Sequence, residues 1–296
     1  MIAFVFVACL TLTGDTEVVP VGTAKIAVEV SGHKVNLFTY KPANYKNGPM
    51  LMVFHGVDRN AEDYRDHARG LGDRHAAIVV APEFDKERFP AKKYQHGGLQ
   101  RDVKTNTVTP REEWTWSLVP QIALEIRRRE GRNDMPYYLI GHSAGGQFVG
   151  RLAGFVESDA SRILVANPSS YLFPSHKMEF PYGFGGLPGE LGDEQRLRRY
   201  LAQPLTIYLG TKDNERDDDL DTSPEADEQG NTRLERGRKV FEAAQRLAKD
   251  KGWEFRWTLV EAEDVGHDHR KMFDAPACDA ALFGVQKILE MEPEKR

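Results

Sequence analysis

An α/β architecture is what this sequence predicts: a mostly parallel central sheet with helices on both faces, opened by an antiparallel hairpin. Two observations carry that expectation. Apolar runs such as "MLMVFHG" (50–56) and "AAIVVAP" (76–82) do not alternate with polar residues, as befits strands buried on both faces. Other segments repeat apolar residues at three- and four-residue spacing, the mark of amphipathic helices. Strands and helices in alternation close into a parallel sheet with right-handed crossovers.

In chain order, "AKIAVEV" (24–30) and "KVNLFTY" (34–40) alternate around Ser31, Gly32 and His33 and so read as a hairpin. The strand at 50–56 is followed by a helix-compatible stretch, 60–75, and the strand at 76–82. Residues 83–110 are irregular and rich in Lys, Gly and Thr; a loop that long is expected to line or cover a site. Trp116, Val119, Ile122, Ala123 and Ile126 share one face of a helix predicted over 112–130. A strand at 136–141 and a helix at 144–156 come next, then strands at 162–167, 204–210 and 254–262. A helix over 232–252 separates the last two strands, and another closes the chain from Asp279 to Met291. With no internal repeat and no linker, 22–292 reads as one domain.

At 296 residues, with 40% hydrophobic and 29% charged side chains, the chain can bury a large core. A net charge of -5 argues against nucleic acid as a partner, because phosphate binding asks for a basic face. Arg127, Arg128 and Arg129 read as the solvated end of a helix. Two cysteines, Cys9 and Cys278, do not make a disulfide framework. The apolar start "MIAFVFVACLTLTG" makes 1–20 a candidate signal or lipoprotein segment, with "FVAC" as a loose cleavage box and without the usual basic n-region. Export is the resulting expectation, whether periplasmic, secreted or lipid-anchored. No later stretch is long and apolar enough to span a bilayer.

The chemistry concentrates at "YYLIGHSAGGQFVG" (137–150). A strand that turns sharply into a helix crowds the residues two before and two after the central one, and Gly141 and Gly145 meet that demand around Ser143. The turn would lift the hydroxyl above the carboxyl edge of the sheet, where open α/β sheets bind ligands. A serine needs an oriented base. In "VEAEDVGHDHRKMF", just past the last predicted strand, Gly266 lets the chain turn and makes His267 the favoured base, with His269 the alternative. An H-x-H metal pair at these positions lacks a third ligand cluster. Asp213, the first acid after the strand at 204–210, is the candidate to orient the imidazole. Asp217, Asp218, Asp219 and Asp221 read as a solvated acidic loop. Candidate oxyanion donors are the N–H groups of Ala144, at the start of the helix, and Val57, after "HG" at the end of the third strand, with Gly56 as a second choice to Val57. His55 reads as a packed or loop-ordering histidine.

"HGV", "GHSAGG", "GTKD" and "GHD", in that order, make the chain resemble the α/β-hydrolase superfamily from about residue 22 to 290. "HGVDRNAEDYRD" is most similar to the bacterial polyhydroxybutyrate-depolymerase-like and feruloyl-esterase-like enzymes, although the cysteine that many secreted members carry after the His-Gly pair is missing. The resemblance implies carboxylic ester hydrolysis through Ser143, Asp213 and His267, with no metal or organic cofactor and a small-molecule or oligomeric ester as substrate. An amidase or acyltransferase could use the same triad; an inactive binding module is disfavoured because all three positions are filled. Trp116 and Tyr171 are the aromatic candidates for substrate contact, and 167–174 is the loop expected beside the site.

Overall fold

The structure is a computed structural model and describes residues 17–284. The candidate leader thus lies largely, and the part of the expected closing helix beyond residue 284 wholly, outside the described residues. A hairpin of β1 (Gly22–Val30) and β2 (His33–Lys41) leads into β3 (Met50–Phe54), α1 (Ala61–His67), α2 (Arg69–Arg74) and β4 (Ile78–Pro82). The long segment that follows holds one turn of helix, α3 (Ala91–Tyr94), and a small ribbon of β5 (Arg101–Asp102) with β6 (Thr107–Val108). Next come α4 (Leu118–Arg129), β7 (Tyr137–His142), α5 (Ala144–Phe155), β8 (Arg162–Ala166), α6 (Glu194–Leu201) and β9 (Leu205–Gly210). The last elements are α7 (Pro224–Gln229), α8 (Arg233–Lys251), β10 (Thr258–Ala262), α9 (His269–Asp274) and α10 (Pro276–Phe283).

One eight-stranded sheet runs in the order β1-β2-β4-β3-β7-β8-β9-β10. It is parallel from β4 to β10, and the hairpin joins it antiparallel through β2. That is the architecture expected from the sequence. The unalternating strands owe their composition to apolar layers on both faces. Met50, Met52 and Phe54 of β3 face one layer with Val119, Phe148 and Val240; Leu51 and Val53 face the other with Tyr64, Leu71 and Leu282. Full burial of each such side chain contributes roughly 1.5–3 kcal/mol.

Several boundaries differ from expectation, each for a physical reason. The helix expected from 112 begins at Leu118, preceded by two 3-10 turns. Pro120 has no N–H to give, so it is tolerated only in a first turn. Residues 60–75 divide into α1 and α2 at Ala68, where Gly70 and Gly72 weaken the second half. Strand β10 starts four residues late because the Arg256 N–H donates to the Leu201 carbonyl and not to the sheet ladder. The short helices α3, α6, α7 and α9 are not expected from the sequence; Asp193, Ser223 and Asp268 cap the last three through their side chains.

Candidate active site

Ser143 stands at the switch point of the sheet, where the chain's path reverses between neighbouring β3 and β7. Its backbone lies at φ 56°, ψ −121°, a left-handed geometry that L residues adopt only at a cost. Small neighbours make the turn feasible. A Cβ on Gly141 would stand 2.1 Å from the Gly145 carbonyl oxygen, and one on Gly145 would stand 2.2 Å from that of Phe54. The Ser143 N–H donates to Ala166 at 3.0 Å, which continues the ladder with β8 right up to the elbow. Beneath it, Phe148 of α5 packs on Phe54 and Tyr94 with ring centroids 5.0 and 4.9 Å apart. Such pairs add about 0.5–1.5 kcal/mol each beyond area burial and fix the helix against the sheet.

β9 and β10 are parallel neighbours, with Ala262 opposite Gly210, so the loops beyond them emerge side by side. A Cβ on Gly210 would sit 2.4 Å from the Val265 carbonyl oxygen, which explains how closely those loops approach. The result is a direct hydrogen bond: His267 Nδ1–H donates to Asp213 Oδ2 at 2.7 Å, with Asp213 3% exposed. This bond sets the tautomer and leaves His267 Nε2 for the cleft. The other carboxylate oxygen, Oδ1, accepts from Arg233 Nη1 at 3.3 Å. His269, the alternative base, also lines the cleft but has other partners. It stacks on Tyr64 at 4.0 Å between centroids and its Nε2 lies 2.7 Å from His67 Nδ1. Burial, aided by His67, lowers its pKa to about 4.

A cleft of about 200 Å³ opens at this point, and Ser143, His267, Val57, Asp58 and Asp219 all line it. Gly56 is the turn beside the serine: a Cβ there would lie 3.8 Å from Ser143 Cβ. Ala144 is the first residue of α5, whose leading N–H groups have no partner within the helix. Under the cleft lies His142, which accepts or donates at Nδ1 to the Tyr64 hydroxyl at 3.2 Å and packs against His267 at 4.6 Å between centroids. Burial holds His142 well below the usual imidazole range, and the nearby His267 and His269 add to the effect. His55 is an ordering residue of the kind expected: Phe84 N–H donates to its Nε2 at 3.1 Å, and burial lowers its pKa to about 3.

Trp116 and Tyr171 need correction, because the structure brings neither to this cleft. Trp116 is buried beneath Gly97, donates from Nε1 to the Phe148 carbonyl and stacks on Phe155. Tyr171 is buried against α8, and its backbone exchanges hydrogen bonds with the Gln229 side chain. Both serve packing, for which large aromatic side chains are as well suited as for binding. Nor do the lining residues come from 83–110 or 167–174. The first of these packs inward through Tyr94, whose hydroxyl donates to His55 O, and the second through Ser170, which accepts from Gln147 and Arg151. Sequence reasoning missed the contributions of Asp58, Asn60, Tyr64, His142 and Asp219 to the cleft. Position after the third strand was a usable signal for the first three; nothing local marked Asp219 among its acidic neighbours.

Fold and site together define a hydrolase of the α/β type. The chain is 32% identical to LpqC, a poly(3-hydroxybutyrate) depolymerase from Bordetella parapertussis, with a TM-score of 0.80 over 92% of this chain and 96% of that one. It is 30% identical to poly(aspartic acid) hydrolase-1 from Sphingomonas sp. KT-1, again at 0.80, over 86% and 97%. At 13% identity and a TM-score of 0.53, FphF, a fluorophosphonate-binding serine hydrolase of Staphylococcus aureus, shares the fold over 91% and 98%. The chain belongs to the α/β-hydrolase superfamily. Neither a family model nor a curated protein matches the sequence. Among the described residues no helix is long and apolar enough to cross a membrane, and no group of three or more His, Cys, Asp or Glu could hold a metal ion.

Proposed function

We propose that this protein is a serine esterase that cleaves carboxylic esters by two-step acyl transfer. The observation that carries the reading is the 2.7 Å bond from His267 to buried Asp213, in a cleft that Ser143 enters from a left-handed elbow. Ser143 Oγ attacks the ester carbonyl carbon while His267 Nε2 takes its proton. Asp213 stabilises the imidazolium, and the Val57 and Ala144 N–H groups receive the oxyanion. Collapse of the tetrahedral adduct breaks the bond to the alcohol, which leaves with the proton from His267. Water then attacks the acyl-enzyme, giving its proton to His267, and the serine is released with the carboxylic acid.

Similarity to a poly(aspartic acid) hydrolase favours amide cleavage as a second reading. The cleft argues against a polyanion, however, because Asp58 and Asp219 line it and no lysine or arginine does. A neutral ester, short or oligomeric, suits these walls better. Hydrolysis of p-nitrophenyl acetate, butyrate and octanoate, beside the matching anilides, tests the choice. Ser143→Ala is expected to lower ester turnover by at least about 1,000-fold while keeping the parental circular dichroism spectrum. Full activity in that variant would sink the assignment, and faster anilide than ester cleavage would favour the amidase.

A further inference from the structure

Arg233 is the first residue of α8 and is fully buried, although it carries a permanent charge. Its guanidinium makes a fork to Asp217, Nη1 to Oδ2 and Nη2 to Oδ1, both at 2.7 Å. The same Nη1 reaches Asp213 Oδ1 at 3.3 Å. Asp213 is thereby held from both sides, with His267 on Oδ2 and Arg233 on Oδ1. The backbone adds a third tie, from the Leu234 N–H to the Asp213 carbonyl oxygen at 3.2 Å. A carboxylate with two fixed oxygens cannot rotate away from the imidazole. Its charge is also partly offset by a cation that Asp217 shares.

We infer that Arg233 is a positioning residue, which fixes the Asp213 carboxylate and tempers how strongly it favours the charged form of His267. The inference rests on the reading of Ser143, Asp213 and His267 as a triad. The groups facing His267 are Asp213 from the loop after β9, His142 from the end of β7, His269 from its own segment, Asp58 from the loop after β3, and Asp217 and Asp219 from the acidic loop. Arg233 acts on His267 through Asp213, so removing its charge makes Asp213 a stronger partner for the imidazolium. The fork matters separately, because lysine supplies the charge without two parallel donors.

Imidazole 15N titration of the full chain reads this directly, with the His267 signals assigned by their loss in His267→Gln. In Arg233→Gln the His267 midpoint is expected to rise by about half a pH unit or more, and kcat on p-nitrophenyl butyrate to fall about tenfold with little change in KM. Arg233→Lys should keep the parental midpoint and recover only part of kcat. Asp217→Asn, at a half-exposed carboxylate, releases the guanidinium onto Asp213. The midpoint should then fall, and the His267 Nδ1 proton should move upfield as its bond to Asp213 weakens. That proton reports the bond itself, which loss of the Asp217 charge alone would leave in place. An unmoved midpoint in Arg233→Gln overturns the inference. If that variant does not fold, an unmoved Nδ1 proton in Asp217→Asn overturns it. The titration needs no turnover, so an absence of Ser143-dependent ester cleavage counts against the proposed activity and not against this role.

Discussion

At the scale of single residues, the glycines around the elbow differ in kind, and substitution should separate them. Gly145→Ala would set a methyl 2.2 Å from the Phe54 carbonyl oxygen. Neither strand nor helix can yield there, and a loss of about 3 kcal/mol or more is expected in urea unfolding. Gly150→Ala is the contrast, since its methyl would meet the Val165 side chain at an ordinary 3.4 Å. Better helix propensity should make it neutral or stabilising by about 0.5–1 kcal/mol. In the sequence Gly145 stands out by its spacing from Ser143, whereas the room beside Gly150 is set by the position of β8 in space. Ser143, Asp213 and His267 could be singled out because each follows its own strand. The pairing of His269 with His67, 202 residues away, had no local sign.

Among the elements, the acidic run 217–221 is tied down more firmly than its composition suggests. It reads as a solvated loop, and Asp217, Asp218 and Asp219 are exposed, yet two buried arginines of α8 fasten the segment around it. Arg233 holds Asp217, while Arg236 donates to the carbonyls of Asp221 and Gly230 and to Asp227 Oδ1. Those guanidiniums sit on the face of α8 that the apolar spacing marks as inward, and periodicity says nothing about a charge buried among partners. Arg236→Met should loosen the segment, giving faster hydrogen exchange over 214–231 than in the parent. Because Asp219 forms one wall of the cleft, KM should rise more than kcat falls. Parental exchange in the variant would show that the segment is held by other means. Elements with a strong pattern, the unbroken apolar runs of β3, β4 and β7 and the helix α5, are legible almost to the residue. The short α6 and α7 are not, because one or two turns of helix carry too little apolar pattern to stand out from the polar residues around them.

The whole molecule carries an acid sensitivity in its buried imidazoles. Burial lowers His55 and His96 to about 3 and His269 to about 4, and holds His142 well below its ordinary value. An unfolded chain binds these protons at about pH 6.5, before the folded one does. Their contribution to stability is therefore complete above that pH and is lost as the pH falls toward the folded values. Each fully buried imidazole steepens the loss by up to about 1.4 kcal/mol per pH unit. Melting temperatures should be level near neutrality and drop sharply between about pH 6 and 4; a flat profile across that range would contradict the burial described. If the protein is the proposed esterase, charge is expected to set its selectivity at this scale. With Asp58 and Asp219 at the cleft and a net charge of -5, a p-nitrophenyl hemisuccinate should be cleaved several-fold more slowly than the neutral butyrate at low salt, a gap that closes as salt is added.

The order in which the chain supplies its parts has a consequence for synthesis. Strands β3, β7 and β8, with the elbow they support, are complete at Ala166, whereas the imidazole that would activate Ser143 arrives only after β10. A chain leaving the ribosome can thus shape its nucleophile early, since folding tends to proceed from the N-terminal side. It lacks a base until its last strand has joined the sheet. Under the proposed mechanism a nascent chain would be inert toward esters in the crowded space where it is made, and reactivity would belong to the finished molecule.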